Sequence, residues 1–422
     1  MNKGRKRNLN LKRNQYKVVL LSLVIILIIG GLFWANLKYT QKNPGGNDFL
    51  VHWVGTRSLL IDGNSPYSDE TALKIQTMVY GRAAQPGEHE LRVAYPIYSI
   101  LIFSPFAFIA DFNIARAAWM VLLELSIILM FYLSIKLVNW KPNILIFTSV
   151  LIFSFTWYHA VRPLINGNAV LLVGLFLVGG ILAVKDQQDE VAGILFALST
   201  IKPQVVILPI ILVLFWSLAN KRYKIISWFM GVVLLLSIAG ALLVPDWMLQ
   251  NLREILRYPG YNPPGNPASA LEQLLPGNGN RVGWIISVLS CLLMVGEWIV
   301  SLKKGVRGLI WAFCLTLVLS QWSGIQTDPG NFVVVFPAII LIFSVWDERW
   351  KKFGSYLIIG LILGLTIVIW ALFVNTVEYT YQPVQSPIMF FPVPSILLLC
   401  LYWVRWWAIR PPKVWLENIT QT

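Results

Sequence analysis

The chain is short of charge. Only 13% of its 422 residues are Asp, Glu, Lys or Arg, against 57% hydrophobic, whereas a soluble globule carries about a quarter charged residues. A water-soluble enzyme is thereby excluded, and an integral membrane protein is left. Cysteine is scarce too: Cys291, Cys314 and Cys400 all lie in apolar runs, with no metal-ligand spacing and no obvious disulfide partner. They read as packing residues. No Gly-rich phosphate loop occurs, and no polar stretch is long enough to form a domain holding a nucleotide sugar. An activated group used by such a chain has to arrive on a lipid. Acidic residues are the scarcer sign, 20 against 34 Lys and Arg, giving a net charge of +14. In a membrane protein that excess belongs on cytoplasmic loops, and nothing else in the sequence points to nucleic acid.

What the chain has is apolar runs. Residues 1–17 carry Lys3, Arg5, Lys6, Arg7, Lys12, Arg13 and Lys17, and then an apolar run extends from Val18 to Leu37. It is too long for a signal peptide, and Trp34-Ala35-Asn36 is a poor cleavage site, so a retained first helix with its N-terminus in the cytoplasm is predicted. Further spans are predicted over 114–137, 142–160, 168–184, 191–203, 204–219, 225–244, 282–302, 308–326, 331–346, 354–375 and 388–406, about twelve with the first. The two short ones meet at Lys202-Pro203 and could also form one kinked span. The segment 94–110 is apolar but short, and contains Pro96 and Pro105. If it dips in and returns, then Lys136, Lys141, Lys185, Lys221–Lys224, Lys303-Lys304, Arg349–Lys352 and Arg410–Lys413 all fall on one side, as the positive-inside bias requires. The resulting organisation is an all-α polytopic membrane protein. It has a basic cytoplasmic N-terminus (1–17), one transmembrane domain (18–406) with outer loops 38–113 and 245–281, and a cytoplasmic tail (407–422). The sequon Asn418-Ile-Thr420 falls on the inner side and reads as chance.

The first outer loop opens with a helical pattern, Phe49, Trp53, Thr56 and Leu60, that predicts an amphipathic helix at the bilayer surface. Gly63, Asn64 and Pro66 turn the chain after it. Asp48 stands where it can cap the first turn and gain from the helix dipole, and His52 follows one turn later. Under the topology above, Asp48, His52, Arg162, Asn166, Asn168, Lys202, Gln204, Asn266, Ser269, Asp328 and Asn331 converge on the outer face. The topology itself was chosen from charges on the opposite side. Lys202 is the sharpest of these, because an ammonium in the otherwise apolar stretch 191–219 costs at least about 2.5–3.5 kcal/mol. It either snorkels or pairs structurally, or offers a cation to an anionic lipid phosphate. Asn166-Gly167-Asn168 alone reads as a turn and cap, and 326–331 as a turn about as often as a site. Trp53, Tyr95, Tyr98 and Trp157 are candidates to stack on a sugar or prenyl chain, while His89 and His159 read as structural or exposed. Hard cations want several carboxylates together, and no Asp or Glu adjoins Asp48, so no metal or other cofactor is expected.

Several short elements carry a resemblance in their order. Asp48-Phe-Leu-Val-His-Trp, the following Leu-Leu-x-x-Gly and Pro66-Tyr67 resemble the first outer loop of family 87 of the GT-C glycosyltransferases. Ser199-Thr-Ile-Lys202-Pro203 resembles that family's Lys-Pro element, Leu164-Ile-Asn-Gly-Asn168 its Gly-Gln-x-Asn element, and Asn266-Pro-Ala-Ser269 its outer-loop Asn-x-Ser. His52 departs from the family's usual Tyr, and Ile97 from the second proline of its Tyr-Pro-Pro segment. The resemblance implies a GT-C fold in the cell membrane. It implies inverting transfer of a sugar, mannose first, from a polyprenyl-phosphate donor to a lipid or glycan acceptor of the envelope, at the outer face; a monomer is expected. Asp48 would be the general base; Lys202, with Arg162 or His52, would hold the donor phosphate. Asn166, Asn168, Gln204, Asn266, Ser269, Tyr95 and Asp328 would contact substrates. Two other readings of the same residues stand beside it: a transporter or flippase of lipid-linked sugars, and a non-catalytic scaffold of an envelope complex.

Overall fold

The computed structural model describes residues 2–261, 265–379 and 383–409, with side chains from residue 20 onward except at 379 and 383. The expected Arg410–Lys413 cluster, most of the tail and its sequon lie outside the described residues. The first apolar run forms α1 (Asn2–Lys42). After it come α2 (Asn47–Leu60), α3 (Asp69–Tyr80), a 3-10 turn (Ile97–Ser99) and α4 (Ile100–Ala107), then α5 (Phe112–Leu137). The start of α5 sits beside the end of α1: Thr40 Oγ1 donates to Asn113 O at 3.2 Å, and Arg116 Nη1 to Asn43 O at 2.8 Å. The whole stretch between them, 94–110 included, therefore leaves and re-enters on one face, called the loop face below. At 1.5 Å per residue, α4 is about 12 Å long, less than half the hydrocarbon core.

The next span is broken. α6 (Ile144–Thr156) and α7 (Tyr158–Asn166) are bent by 45° at Trp157, whose extended backbone (ψ 151°) interrupts the helical hydrogen bonds. α8 (Val170–Lys185) returns to the opposite face. There Lys185 Nζ donates to Lys136 O at 2.8 Å, so the ends of α5 and α8 meet. α9 (Asp189–Ser199) and α10 (Pro203–Ala219) form a hairpin rather than one kinked span. Arg222, just past α10, donates through Nε to Asp189 Oδ1 at 3.0 Å and through Nη1 to Val184 O at 2.8 Å. Both open ends thus lie on the basic face, and Lys202 stands at the apex. Pro203 opens α10 where its missing N–H costs nothing.

α11 (Tyr223–Leu243) crosses to the loop face, which carries α12 (Trp247–Arg257) and α13 (Pro267–Leu274). The remaining elements are α14 (Gly279–Ser301), α15 (Gly305–Leu319), a 3-10 segment (Pro329–Val335) running into α16 (Phe336–Trp350), and α17 (Lys352–Leu363), which continues through a π turn (Gly364–Val368) into α18 (Ile369–Thr376). A two-residue antiparallel pair, β1 (Glu378–Tyr379) with β2 (Pro383–Val384), precedes α19 (Pro392–Trp403) and α20 (Trp406–Ile409). The Gly308–Leu319 part of α15 and the Phe336–Trp346 part of α16 are buried on every side, whereas α1, α11 and α14 leave long apolar stripes uncovered, as lipid-facing helices do. Among the described residues, seven helices are long and apolar enough to cross a membrane, or eight with the bent α6–α7 pair as one span. The expectation of about twelve also counts shorter helices such as α8, α10 and α19. The chain is an all-α, polytopic membrane protein.

Two faces follow, and they can be told apart chemically. After replacement of the native cysteines by Ala, Thr77→Cys on α3 and Lys303→Cys beyond α14 are expected to react with an impermeant maleimide from opposite sides of uniformly oriented sealed vesicles. Labelling of both from one side would contradict the path described here.

Candidate active site

The backbone before α2 turns through Gly46 in the left-handed region (φ 79°), and no side chain caps the helix. Asp48 is the second residue of α2, not its cap, so its carboxylate is left to a distant partner. That partner is Asn168, whose Nδ2 donates to Asp48 Oδ2 at 3.0 Å. Asn168 follows Gly167, which ends α7 with φ 70°. Asn168 Oδ1 accepts from Val170 N at 3.0 Å, in a local turn, and from Lys202 Nζ at 2.7 Å. Lys202 is 3% exposed. Its ammonium lies 5.6 Å from the centre of the Tyr95 ring, within cation–π range. It does not snorkel. An ammonium can only donate and a carboxylate only accept, so the amide between them has one possible orientation. The result is a row: ammonium, amide, carboxylate.

One turn of α5 holds the two loops that carry this row. Arg116 donates through Nη1 to Asn43 O at 2.8 Å and through Nη2 to Ile165 O at 3.0 Å. Three residues on, Trp119 Nε1 donates to Gly167 O at 2.8 Å, and its ring stacks on Phe49 at 5.4 Å. A Cβ on Gly46 would fall 2.4 Å from Arg116 Nε, and one on Gly167 2.5 Å from Phe49 Cβ. Both glycines are thus required for shape as well as for positive φ. The sequence gives only a faint sign of Arg116, a lone cation between alanines at the edge of an apolar run.

α2 is buried continuously from Phe49 to Thr56, because 91–97, α3 and α4 cover the flank that would otherwise meet the bilayer surface. His52 is trapped there, its ring 3.9 Å from Tyr95 and 4.7 Å from Phe103, centre to centre. Burial, with Lys202 nearby, pushes it down to about 3. Held neutral in this way, His52 brings no positive charge of its own to the site. Trp157 is wholly buried against Phe153 and His159 and has no face for a ligand. Trp53 hydrogen-bonds Phe106 O at 3.0 Å on the flank of α2 away from Asp48. A groove of about 600 Å³ on that flank, lined by Trp53, Arg57, Leu73 and Met78 among others, does not include Asp48 or Lys202.

A second polar group adjoins the row. Asp328 caps the 3-10 segment through Gly330 N at 2.6 Å and accepts from Gln385 Nε2 at 2.9 Å, while Gln385 Oε1 accepts from Tyr158 OH at 2.7 Å. The charges of Asp328 and Arg162 both reach Asp48. Burial is the largest influence on that carboxyl and lifts it; Lys202 pulls it down, Asp328 lifts it further, and Asn168 and Arg162 lower it. The net direction is upward from the ordinary carboxylate value. Asn266 and Ser269 form a capping box at the start of α13 (Ser269 N to Asn266 Oδ1, 2.9 Å), and Gly265 O next to them accepts from Thr327 N at 2.7 Å. Asn331 Nδ2 donates to Thr327 Oγ1 at 3.1 Å in the same turn. Asn166 ends α7, and half-buried Gln204 sits in the first turn of α10; neither is part of the row.

The bridging amide can be tested by stability. Asn168→Leu leaves a buried ammonium without its acceptor and is expected to cost about 1–3 kcal/mol in unfolding free energy. Adding Lys202→Met should restore part of that loss, because the uncompensated charge is gone. Strict additivity of the two substitutions would show that no such bridge exists.

The family model described as glycosyltransferase family 87 matches residues 94–320, more than half of the chain. The match takes in Tyr95, Arg162, Asn166, Asn168, Lys202, Gln204, Asn266 and Ser269. Asp48, His52 and Asp328 lie outside it, and Asp48 is joined to it by the Asn168 hydrogen bond. No curated protein and no solved structure matches the chain. The chain belongs to glycosyltransferase family 87.

Proposed function

We propose that the protein moves a sugar, mannose first among candidates, from a polyprenyl-phosphate carrier to a lipid or glycan of the cell envelope, with inversion at the anomeric carbon. The observation that carries this reading is the Asp48–Asn168–Lys202 row on the loop face. A base and a cation for an anionic leaving group stand there one amide apart. Sidedness is supported by charge: Lys136, Lys185, Lys221, Arg222, Lys224, Lys303 and Lys304 gather on the opposite face, which the positive-inside bias makes cytoplasmic. The row then opens outward from the plasma membrane, and both termini lie inside. A lipid-borne donor fits a membrane protein whose candidate site lies on the loop face of its apolar helices and which has no nucleotide-binding motif.

The acceptor hydroxyl hydrogen-bonds the Asp48 carboxylate. Its oxygen attacks the anomeric carbon from the face opposite the phosphate as its proton passes to Asp48. The carbon–oxygen bond to the phosphate breaks, and the electron pair stays on the phosphate oxygen. Lys202, with Arg162 near by, stabilises the charge that builds there. Asn168 keeps base and cation in register. The upward shift of the Asp48 carboxyl makes its carboxylate form a better proton acceptor than an ordinary carboxylate. Tyr95 flanks the cation, and Asn166, Gln204, Asn266, Ser269 and Asp328 are the polar groups available to the two substrates. In this reading the protein acts as a monomer, and Lys202 supplies the positive charge a metal would otherwise bring.

Asp48→Asn tests the assignment, since the amide can still accept from Asn168 but cannot take a proton. With radiolabelled polyprenyl-phosphate sugars and envelope lipid extract, turnover is expected to fall by at least about a hundredfold, with donor binding retained. The folded-state pKa of Asp48 lies above its unfolded value. Its contribution to stability is therefore fully present below the unfolded pKa and lost as pH rises through the folded one. At neutral pH the variant should unfold no lower than the native protein. Undiminished turnover would remove Asp48 from the mechanism, and absence of product from the native protein, with sugar-lipid crossing the bilayer, would replace transfer by transport.

A further inference from the structure

α12 is amphipathic in an inverted sense. Its uncharged polar residues and Glu254 face the protein: Asn251, 6% exposed, donates from Nδ2 to Ala94 O at 3.0 Å and to Tyr95 O at 3.2 Å. Glu254, 2% exposed, lies 3.5 Å from Arg92 Nη1, and Gln250 Oε1 accepts from Ser65 Oγ at 2.6 Å. Its apolar residues face away. Met248, Leu249, Leu252, Ile255 and Leu256 form one exposed stripe, with Leu249 at 70% and Leu256 at 73%. Nothing among the described residues covers it. The stripe continues the lipid-facing side of α11, whose Leu242 and Leu243 are exposed. Trp247, the first residue of α12, packs back on that helix, its Nε1 3.3 Å from Ser237 O. Arg253 and Arg257 stand on the same short helix, both exposed, and Arg257 lies 3.2 Å from Glu90.

We propose that α12 is an interfacial helix seated in the bilayer, its stripe among the acyl chains and Arg253 and Arg257 level with anionic phospholipid phosphates. An outward apolar face with flanking arginines is the pattern of a helix lying in the membrane plane, and its continuity with α11 sets it at the rim of the hydrocarbon. Lipid, not water, then covers this side of the site. The consequence is mechanical. The same helix holds the carbonyls of Ala94 and Tyr95, and the Tyr95 ring lies against Lys202. The membrane thereby fixes one wall of the site. This inference concerns the surface alone and stands whatever reaction the site performs.

Spin labels at Leu249→Cys, Leu252→Cys and Leu256→Cys test it, each in the full chain with native cysteines replaced by Ala, in vesicles of phosphatidylcholine and phosphatidylglycerol. The three positions are exposed, so the labels displace no packed neighbour. Oxygen is expected to relax these labels several-fold more than a neutral nickel chelate does, whereas a label at Thr77→Cys shows the reverse. Arg253→Gln, or omission of phosphatidylglycerol, should move the labels measurably toward the aqueous phase. Nickel access equal to that at Thr77 would overturn the proposal. So would shielding from both reagents with spin–spin broadening, which would mean that a second copy of the chain covers the stripe.

Discussion

A lysine ammonium buried among apolar helices must be given acceptors, and the candidate site is organised around how Lys202 gets them. Its position is set by the α9–α10 hairpin, which brings the chain up from the basic face and sends it back at Pro203. Water is largely excluded there, so the charge is tolerable only if polar atoms from elsewhere in the chain converge on it. One amide does this and passes the constraint on. Asn168 Oδ1 is committed to Lys202, which leaves Nδ2 facing the other way, and Asp48 occupies the only chemically sensible place beyond it. A cation that would be a liability in lipid thus orders an amide and a carboxylate.

The irregular backbone lies where this arrangement needs it. Helices break at Gly46, at Gly167 and at Lys202-Pro203, and each break lies within two residues of one member of the row. Unpaired peptide groups at membrane depth are tolerated only inside protein or beside a polar cavity. Here carbonyls beside the first two breaks are taken up by Arg116 and Trp119. α5 is therefore more than a span: over one turn it satisfies three loop carbonyls and sets the spacing between α2 and α7. Broken helices that share such a support gather polar groups without exposing them to lipid.

Much of this was legible in the sequence, for identifiable reasons. An apolar run announces a span because lipid demands it, and Lys202 announced itself by violating that demand. The loop-face assignment of 94–110 followed from charges on distant loops. Packing direction was not legible. The pattern of Phe49, Trp53 and Thr56 marks a helix, but not that α3, α4 and 91–97 cover its other flank and trap His52 as a neutral ring. In α12 the apolar stripe is plain in the sequence, yet only the hydrogen bonds of Asn251 show that its polar side faces in. Asp48 looked equally suited to capping a helix, and Gly46 excludes that by starting the helix two residues earlier. Arg116 and Trp119 act through carbonyls of residues far away in the chain, which no local pattern records.

The central claim is that Asp48 and Lys202 form one electrostatic unit through Asn168. The most direct test is the pH dependence of single-turnover sugar transfer in the native protein and in Lys202→Met. Lys202 lowers the Asp48 carboxyl against the upward push of burial. The native rate should therefore rise with pH through an inflection above the ordinary carboxylate range, and Lys202→Met should move that inflection to higher pH. An inflection at the same pH in both proteins would contradict the account, because the base would then be indifferent to the cation held next to its amide partner.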